Sequence, residues 1–237
     1  AMKKNGTWDY YYNAWNVLIE SYLYEDKVQT ALLEAQKMYA DARKRKSNYG
    51  LGTSTYGMAC IYQTMGRFRE AEKTIEESIS ALSKSDEISQ LLSAYNVLGE
   101  TLDGLRKYEK LRAKCVEWKA VIDKYKNEAL RKGYTPSLNG RYLYCTLATA
   151  VAELETGHYD RAKELLQLAD KYAEGRKAVA RFKLLQVKAR YYAAIKQYDR
   201  AIACNNENMG IMTAAGDSVS LLTVQMQQAD LYTQAGR

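Results

Sequence analysis

Apolar residues at helical spacing flank a glycine in "YQTMGRFREAEKTI" (Tyr62 to Ile75), with an aromatic at Phe68 and a small residue at Ala71. Two amphipathic runs about a short glycine turn predict a helical hairpin. The same layout recurs in "LDGLRKYEKLRAKCV" (Leu102 to Val116), "ELETGHYDRAKELLQLA" (Glu153 to Ala169) and "YAAIKQYDRAIACN" (Tyr192 to Asn205). A weaker copy is "YLYEDKVQTALLEA" (Tyr22 to Ala35), and "YTQAGR" is a final half-copy. In register, the residue just inside each second helix is Ala31, Ala71, Leu111, Ala162 and Ala201, at intervals of 40, 40, 51 and 39 residues.

The first helices carry the same register independently. Their small residue falls at Ala59, Gly99, Ala150, Ala189 and Ala229, with Ile19 as the exception, and three residues later come Tyr22, Tyr62, Leu102, Glu153, Tyr192 and Tyr232. A small residue lets two helix backbones approach, and a bulky one a turn away fills the wedge beside it. The expected fold is an all-α solenoid of antiparallel helix hairpins with repeats at about 11–46, 49–84, 86–133, 136–174 and 176–215, and a half-repeat at 218–237. These make about five and a half repeats in a single domain.

At these residues the chain resembles the tetratricopeptide repeat family, from about Tyr11 onward and most clearly over Tyr62 to Ser78 and Tyr192 to Ala203. The resemblance implies a right-handed superhelix that binds proteins or peptides in its concave groove. Two features depart from the family pattern. The period is near 40 against a usual length of roughly 34, and the closing proline of each unit is missing. Long, proline-free repeats resemble the sensor arrays of bacterial histidine kinases and transcriptional regulators. A signal-transduction module is therefore the expected role, with a freestanding adaptor as the alternative.

The 51-residue interval is expected to hold two lengthened helices, one running from Tyr108 to Gly133 and the next capped by Thr135 with Pro136 in its first turn. "SKSDEIS" (Ser83 to Ser89) supplies cap residues for the third unit. "SNYGLGTS" (Ser47 to Ser54), rich in glycine, reads as a flexible approach to the second.

Composition agrees with this picture. Hydrophobic residues at 47% exclude a disordered polymer, and the one proline, Pro136, leaves helices uninterrupted. Tyrosine outnumbers phenylalanine 21 to 2, which suits a thin protein whose aromatic rings keep a wet edge. The formal charge of +7 permits an anionic partner without requiring one. The densest basic run, "ARKRKS" (Ala42 to Ser47), reads as a solvated helix end, where cations meet the helix dipole favourably. Cys60, Cys115, Cys145 and Cys204 show no C-x-x-C pairing and only His158 accompanies them, so no metal site or disulfide framework is expected, and buried free thiols are.

No nucleotide loop, nucleophile elbow or metalloprotease motif is present, and His158 sits in a turn slot taken elsewhere by Arg67, Lys107 and Gln197. The chain is therefore read as a binding module with no catalytic residues and no cofactor. On each first helix, the residue after the small one and its neighbours three, four and seven away form a stripe expected to line the groove. It comprises Asn13, Asn16, Glu20 and Tyr24; Tyr56, Cys60 and Gln63; Asn96, Glu100 and Asp103. It continues through Tyr144, Leu147, Val151 and Glu155; Lys183, Gln186 and Arg190; and Met226, Asp230 and Gln234.

That groove is amide-rich and acidic in the first three units, apolar in the fourth and basic in the fifth. It suits a protein or peptide, or a small polar ligand. The family's carboxylate clamp is disfavoured, because Glu20 and Glu100 occupy its places beside Asn16 and Asn96. Nucleic acid is not expected, since Lys183 and Arg190 form a short positive stripe without stacking aromatics.

No segment has the apolar length of a membrane span, and the start lacks the apolar core of a signal peptide. Ala1 ahead of Met2 reads as a cloning remnant, and the chain is expected to be part of a longer protein. Leu221, Leu222, Val224, Leu231 and Tyr232 are expected to leave apolar area on several faces of the last helix, covered by further chain or by a second copy in a homodimer. Unpaired cysteines favour the cytoplasm and the sensor resemblance favours the periplasmic side of a bacterial inner membrane, which leaves localisation open.

Overall fold

A computed structural model describes residues 4–175 and 178–236; Ala1, Met2, Lys3, Arg176, Lys177 and Arg237, on which the terminal and fifth-repeat expectations partly rest, lie outside the described residues. The described residues form eleven helices and no strand. They are α1 (Lys4–Tyr24), α2 (Val28–Arg45), α3 (Asn48–Thr64), α4 (Phe68–Leu82), α5 (Ile88–Gly104), α6 (Tyr108–Arg131), α7 (Asn139–Glu155), α8 (Tyr159–Ala173), α9 (Ala178–Ala194), α10 (Tyr198–Ala215) and α11 (Ser218–Gln234). Helices α1–α5 lie in one compact unit, Ala1–Lys107, and α6–α11 in a second, Tyr108–Arg237. The architecture is that of an all-α repeat solenoid.

The hairpin turns show why the sequence repeats. After α1, α3, α5, α7 and α9 a backbone N–H reaches back to the carbonyl of the bulky position: Lys27 to Tyr22, Arg67 to Tyr62, Lys107 to Leu102, His158 to Glu153 and Gln197 to Tyr192, at 2.8–2.9 Å. This is a helix-ending turn that needs one residue in the left-handed region. Gly66 and Gly157 supply it, and Asp26, Arg106 and Lys196 hold the same conformation at φ 58°, 55° and 59°.

In the first unit α3 is the central helix, packed against α1, α2, α4 and α5. It is not preceded by a flexible segment. Ser47 caps it by accepting the Gly50 N–H at 3.0 Å, and Gly50 and Gly52 are buried inside its first turns. A Cβ on Gly50 would stand 2.5 Å from the Tyr12 ring, and one on Gly52 would stand 2.4 Å from Leu82 Cγ. The glycines serve close approach of helices, and the Ser78 hydroxyl exploits it by donating to the Gly52 carbonyl at 2.7 Å. The basic run does end a helix: Arg43, Lys44 and Arg45 fill the last turn of α2 before left-handed Lys46.

Two cap expectations fail for local reasons. Ser85 closes α4 by donating to the Leu82 carbonyl, and α5 begins after Glu87 with no side-chain cap. Helix α7 starts at Asn139, beyond Thr135 and Pro136, because Leu138 is buried and fixes the chain just before it. The surplus of the long interval therefore sits in α6, 24 residues against 15–18 for the other second helices, and in the linker after it, while α7 keeps the 17 residues of α3, α5, α9 and α11.

In the second unit, Leu143, Leu147, Ala150 and Leu154 of α7 pack with Leu165 and Leu166 of α8 and Leu184 of α9 in one apolar cluster. Around α10 the core divides. Phe182, Met212 and Val224 form one small cluster, and Ala201, Ile202 and Leu231 another. Along α10 and α11, fully buried Asn205 and Asn208 and nearly buried Gln228 lie between the two. Neither amide atom of Asn205 or Asn208 finds a hydrogen-bond partner among the described residues, and Gln228 donates to Asn206 at 2.9 Å. The equivalent stripe positions are Ile75 and Ser78 in α4, Cys115 and Trp118 in α6, and Leu166 and Ala169 in α8.

Candidate functional site

Five of the groove residues read from sequence surround one open cavity of about 290 Å³ in the first unit. Asn16, Ile19, Glu20, Leu23 and Tyr24 line it from α1, and Tyr56, Gly57 and Cys60 from α3. One stripe of α1 supplies Asn16, Glu20 and Tyr24 because residues four apart stack on one helix face. Gly57 forms the floor: a Cβ there would meet Asn16 Oδ1 at 3.4 Å. The Asn16 amide donates to Glu20 Oε1 at 2.8 Å, which holds that carboxylate over the cavity. Tyr24 stands at the rim, 91% exposed.

Burial pushes the Cys60 thiol up to about 12, and the Glu100 and Glu20 carboxylates push it the same way. The Tyr56 phenol is also raised, first by burial, then by the neighbouring thiol and by Glu20 and Glu100. Two carboxylates from α1 and α5 thus act on the same pair of groups from α3. Cys60 and Cys204 are only half-buried, unlike Cys115 and Cys145, which corrects the expectation that all four thiols are core.

The other groove residues of this unit have different surroundings. Asn13 accepts a hydrogen bond from the Tyr49 hydroxyl and ties α1 to α3. Gln63 donates to the Val97 carbonyl at 3.1 Å and to Thr101 Oγ1 at 2.8 Å, so its amide nitrogen joins α3 to α5. Asn96 and Asp103 are half-buried on α5 and Glu100 is exposed.

In the second unit the expected apolar and basic stretches change character. Leu147 and Val151 are buried and belong to the core. Arg190 binds Glu155 Oε1 through Nε at 2.6 Å and donates to the Tyr108 hydroxyl at 3.1 Å, so its charge is balanced; Lys183 and Gln186 are half-buried beside it on α9. On α11, Val224 and Leu231 are buried against the preceding helices, whereas Leu222, Met226 and Tyr232 are exposed and Ala229 is not a packing residue.

His158 is exposed in its turn, as read, yet it is engaged. Its Nδ1 lies 3.0 Å from Glu153 Oε2 and 2.9 Å from the Arg112 guanidinium. Sequence reasoning passed over this cluster and the Gly57 floor; a glycine inside a first helix, where the other units carry Val17, Val97, Ala148 and Val187, was the available signal. Among the described residues no group of three or more His, Cys, Asp or Glu is arranged to hold a metal ion, and no helix is long and apolar enough to cross a membrane.

Stacked hairpins that present polar first-helix side chains around an open cavity define a helical-repeat scaffold. Residues 54–81 match the tetratricopeptide repeat family, so the chain carries a tetratricopeptide repeat within a solenoid of that fold. Among solved structures, the apo form of RapI aligns with a TM-score of 0.67 at 11% identity, covering 93% of this chain and 77% of that one. The nearly identical TPR-like repeats of a putative kinesin light chain from Podosopora anserina align at 0.59 and 18% identity, covering 87% and 97%. PilF of Pseudomonas aeruginosa aligns at 0.55 and 14%, covering 94% and 92%. No curated protein matches the chain in sequence.

Proposed function

We propose that the chain is a tetratricopeptide-type interaction module that receives a protein or peptide segment, or a small polar ligand, on the first-helix face of the unit formed by α1–α5. The observation that carries this reading is the convergence of Asn16, Glu20, Tyr24 and Tyr56 on one open cavity. Amides and tyrosines hold extended polypeptide by hydrogen bonds and flat apolar contact, and an open face suits recognition more than a reaction that must exclude water. Peptides selected against the protein from a random library are expected to lose at least tenfold in affinity when Glu20, Tyr56 and Asn96 are replaced together by alanine, with helicity unchanged by circular dichroism. Unchanged affinity would place the binding surface elsewhere.

Within that role the module serves as the sensor or interaction domain of a bacterial signal-transduction protein, a reading supported by repeats near 40 residues without closing prolines. A sensor transmits occupancy, so a selected peptide is expected to alter amide hydrogen exchange in α9–α11 as well as in α1–α5. Protection confined to α1–α5 would favour a freestanding adaptor.

A further inference from the structure

The cavity between α1 and α3 has a definite charge. From Asn5 onward, the first helices α1, α3 and α5 contain no lysine or arginine, although the chain has 35 such residues. Their charged side chains are Asp9, Glu20, Glu100 and Asp103. Although the protein has a formal charge of +7, none of the residues lining the cavity is a lysine or an arginine. Around the cavity, Ile19 and Leu23 give an apolar wall, the half-buried Tyr56 gives a ring, and the exposed Tyr24 adds a second ring at the rim.

Resting on the reading of this face as the peptide-binding surface, we propose that the cavity takes the basic side chain, lysine or arginine, of an extended partner segment. The alkyl stem of such a side chain lies along Ile19 and Leu23, as long cationic side chains do on apolar surface. Its charged head reaches the Glu20 carboxylate, which Asn16 holds in place. The faces of Tyr24 and Tyr56 add cation–π attraction, and Glu100 deepens the negative potential from α5. An anionic side chain meets the Glu20 carboxylate and no cation among the lining residues. An apolar one fills the wall and leaves Glu20 without a counter-charge.

The test uses three synthetic octapeptides on the whole chain, (Lys-Ser)4, (norleucine-Ser)4 and (Glu-Ser)4, titrated while the backbone amide resonance of Gly57 is followed by NMR. Norleucine keeps the stem of lysine and removes its charge. The expected result is that (Lys-Ser)4 shifts Gly57 and binds at least tenfold more tightly than (norleucine-Ser)4, that (Glu-Ser)4 does not bind, and that added salt weakens the lysine peptide. In the double variant Glu20→Gln, Glu100→Gln the lysine-to-norleucine ratio is expected to fall towards one.

Equal binding of lysine and norleucine peptides at Gly57 would overturn the cationic assignment while leaving the peptide-binding face intact. Lysine binding that leaves Gly57 unmoved, or that survives the double variant undiminished, would also overturn it. Because the lysine-to-norleucine comparison on the unmodified protein needs no substitution, a variant that fails to fold does not remove the test. The library selection with the alanine triple variant judges the face itself independently.

Discussion

Replacing Asn205 by leucine is expected to stabilise the second unit. Asn205 is 1% exposed and neither of its amide atoms finds a hydrogen-bond partner among the described residues. Leaving a buried polar group unpaired costs about 1–3 kcal/mol, and an apolar side chain of similar shape removes that penalty. Leucine keeps the branched four-atom skeleton of asparagine, though it is the larger side chain, and Leu166 and Ile75 occupy the equivalent stripe position in α8 and α4, so the substitution supplies the kind of packing that the other repeats use. The expected gain is about 1–3 kcal/mol in unfolding free energy, which moves the thermal midpoint by about 2–4 °C per kcal/mol for a chain of this length. Asn208→Leu is expected to act in the same direction, and the double variant to fall short of the sum, because the two residues are three apart on one helix face. Urea unfolding followed by circular dichroism measures the change, and amide hydrogen exchange in α10 and α11 localises it. A loss of about 1 kcal/mol or more in Asn205→Leu would refute the reasoning; it would mean that the amide layer is hydrogen-bonded in solution and holds α11 in register.

Three further outcomes follow from the packing and the turns. Lys196→Gly relieves a left-handed residue at φ 59° and is expected to gain about 0.5–1 kcal/mol by urea unfolding, after the entropy of glycine is subtracted. Gly66→Ala, at φ 70°, is expected to lose about 1 kcal/mol. Gly52→Ala places a methyl 2.4 Å from Leu82 Cγ and 3.2 Å from its backbone nitrogen, and is expected to destabilise the first unit by about 1–3 kcal/mol through overpacking; an unchanged midpoint would show that α4 is free to step back from α3. A thiol is protonated below its pKa, so Cys60, held near 12, is expected to react with iodoacetamide at about pH 8 roughly a hundredfold more slowly than a free cysteine, the greater nucleophilicity of the more basic thiolate offsetting part of its scarcity. Its rate should then climb about tenfold per pH unit, and rapid labelling in the folded protein would contradict its environment.

The hairpin period and the α1 stripe were legible in the sequence because both depend only on spacing along one helix. Asn16, Glu20 and Tyr24 share a face whatever packs beside them. What escaped depended on residues distant in the chain. The glycines at 50 and 52 read as a flexible approach, since a missing Cβ signals a bend and a close helix contact equally well; only Tyr12 and Leu82 decide between them. Arg190 read as part of a positive stripe until Glu155, 35 residues earlier, came to lie against it. Leu147 belongs to the core because it packs in one apolar cluster with α8 and α9, Val151 is buried as well, and no local pattern marks which apolar stripe is covered. Asn205 and Asn208 were visible in principle, as amides where other repeats place Ile75, Leu166 or Trp118, but their register becomes meaningful only once the second helices are aligned over their whole length.

The turn that closes each first helix has a consequence for how such a chain diverges. Its hydrogen bond runs from backbone to backbone, and its left-handed residue is glycine in two hairpins, aspartate, arginine or lysine in the others. Selection acting on that corner sees a shape, and the letters that spell it are free to drift at a modest energetic penalty. Each hairpin can therefore accumulate its own surface while keeping its joint. A unit built this way can lose much of its sequence likeness before it ceases to fit its neighbours, and in this chain one stretch, 54–81, matches the family outright while the other hairpins keep the spacing and the turn.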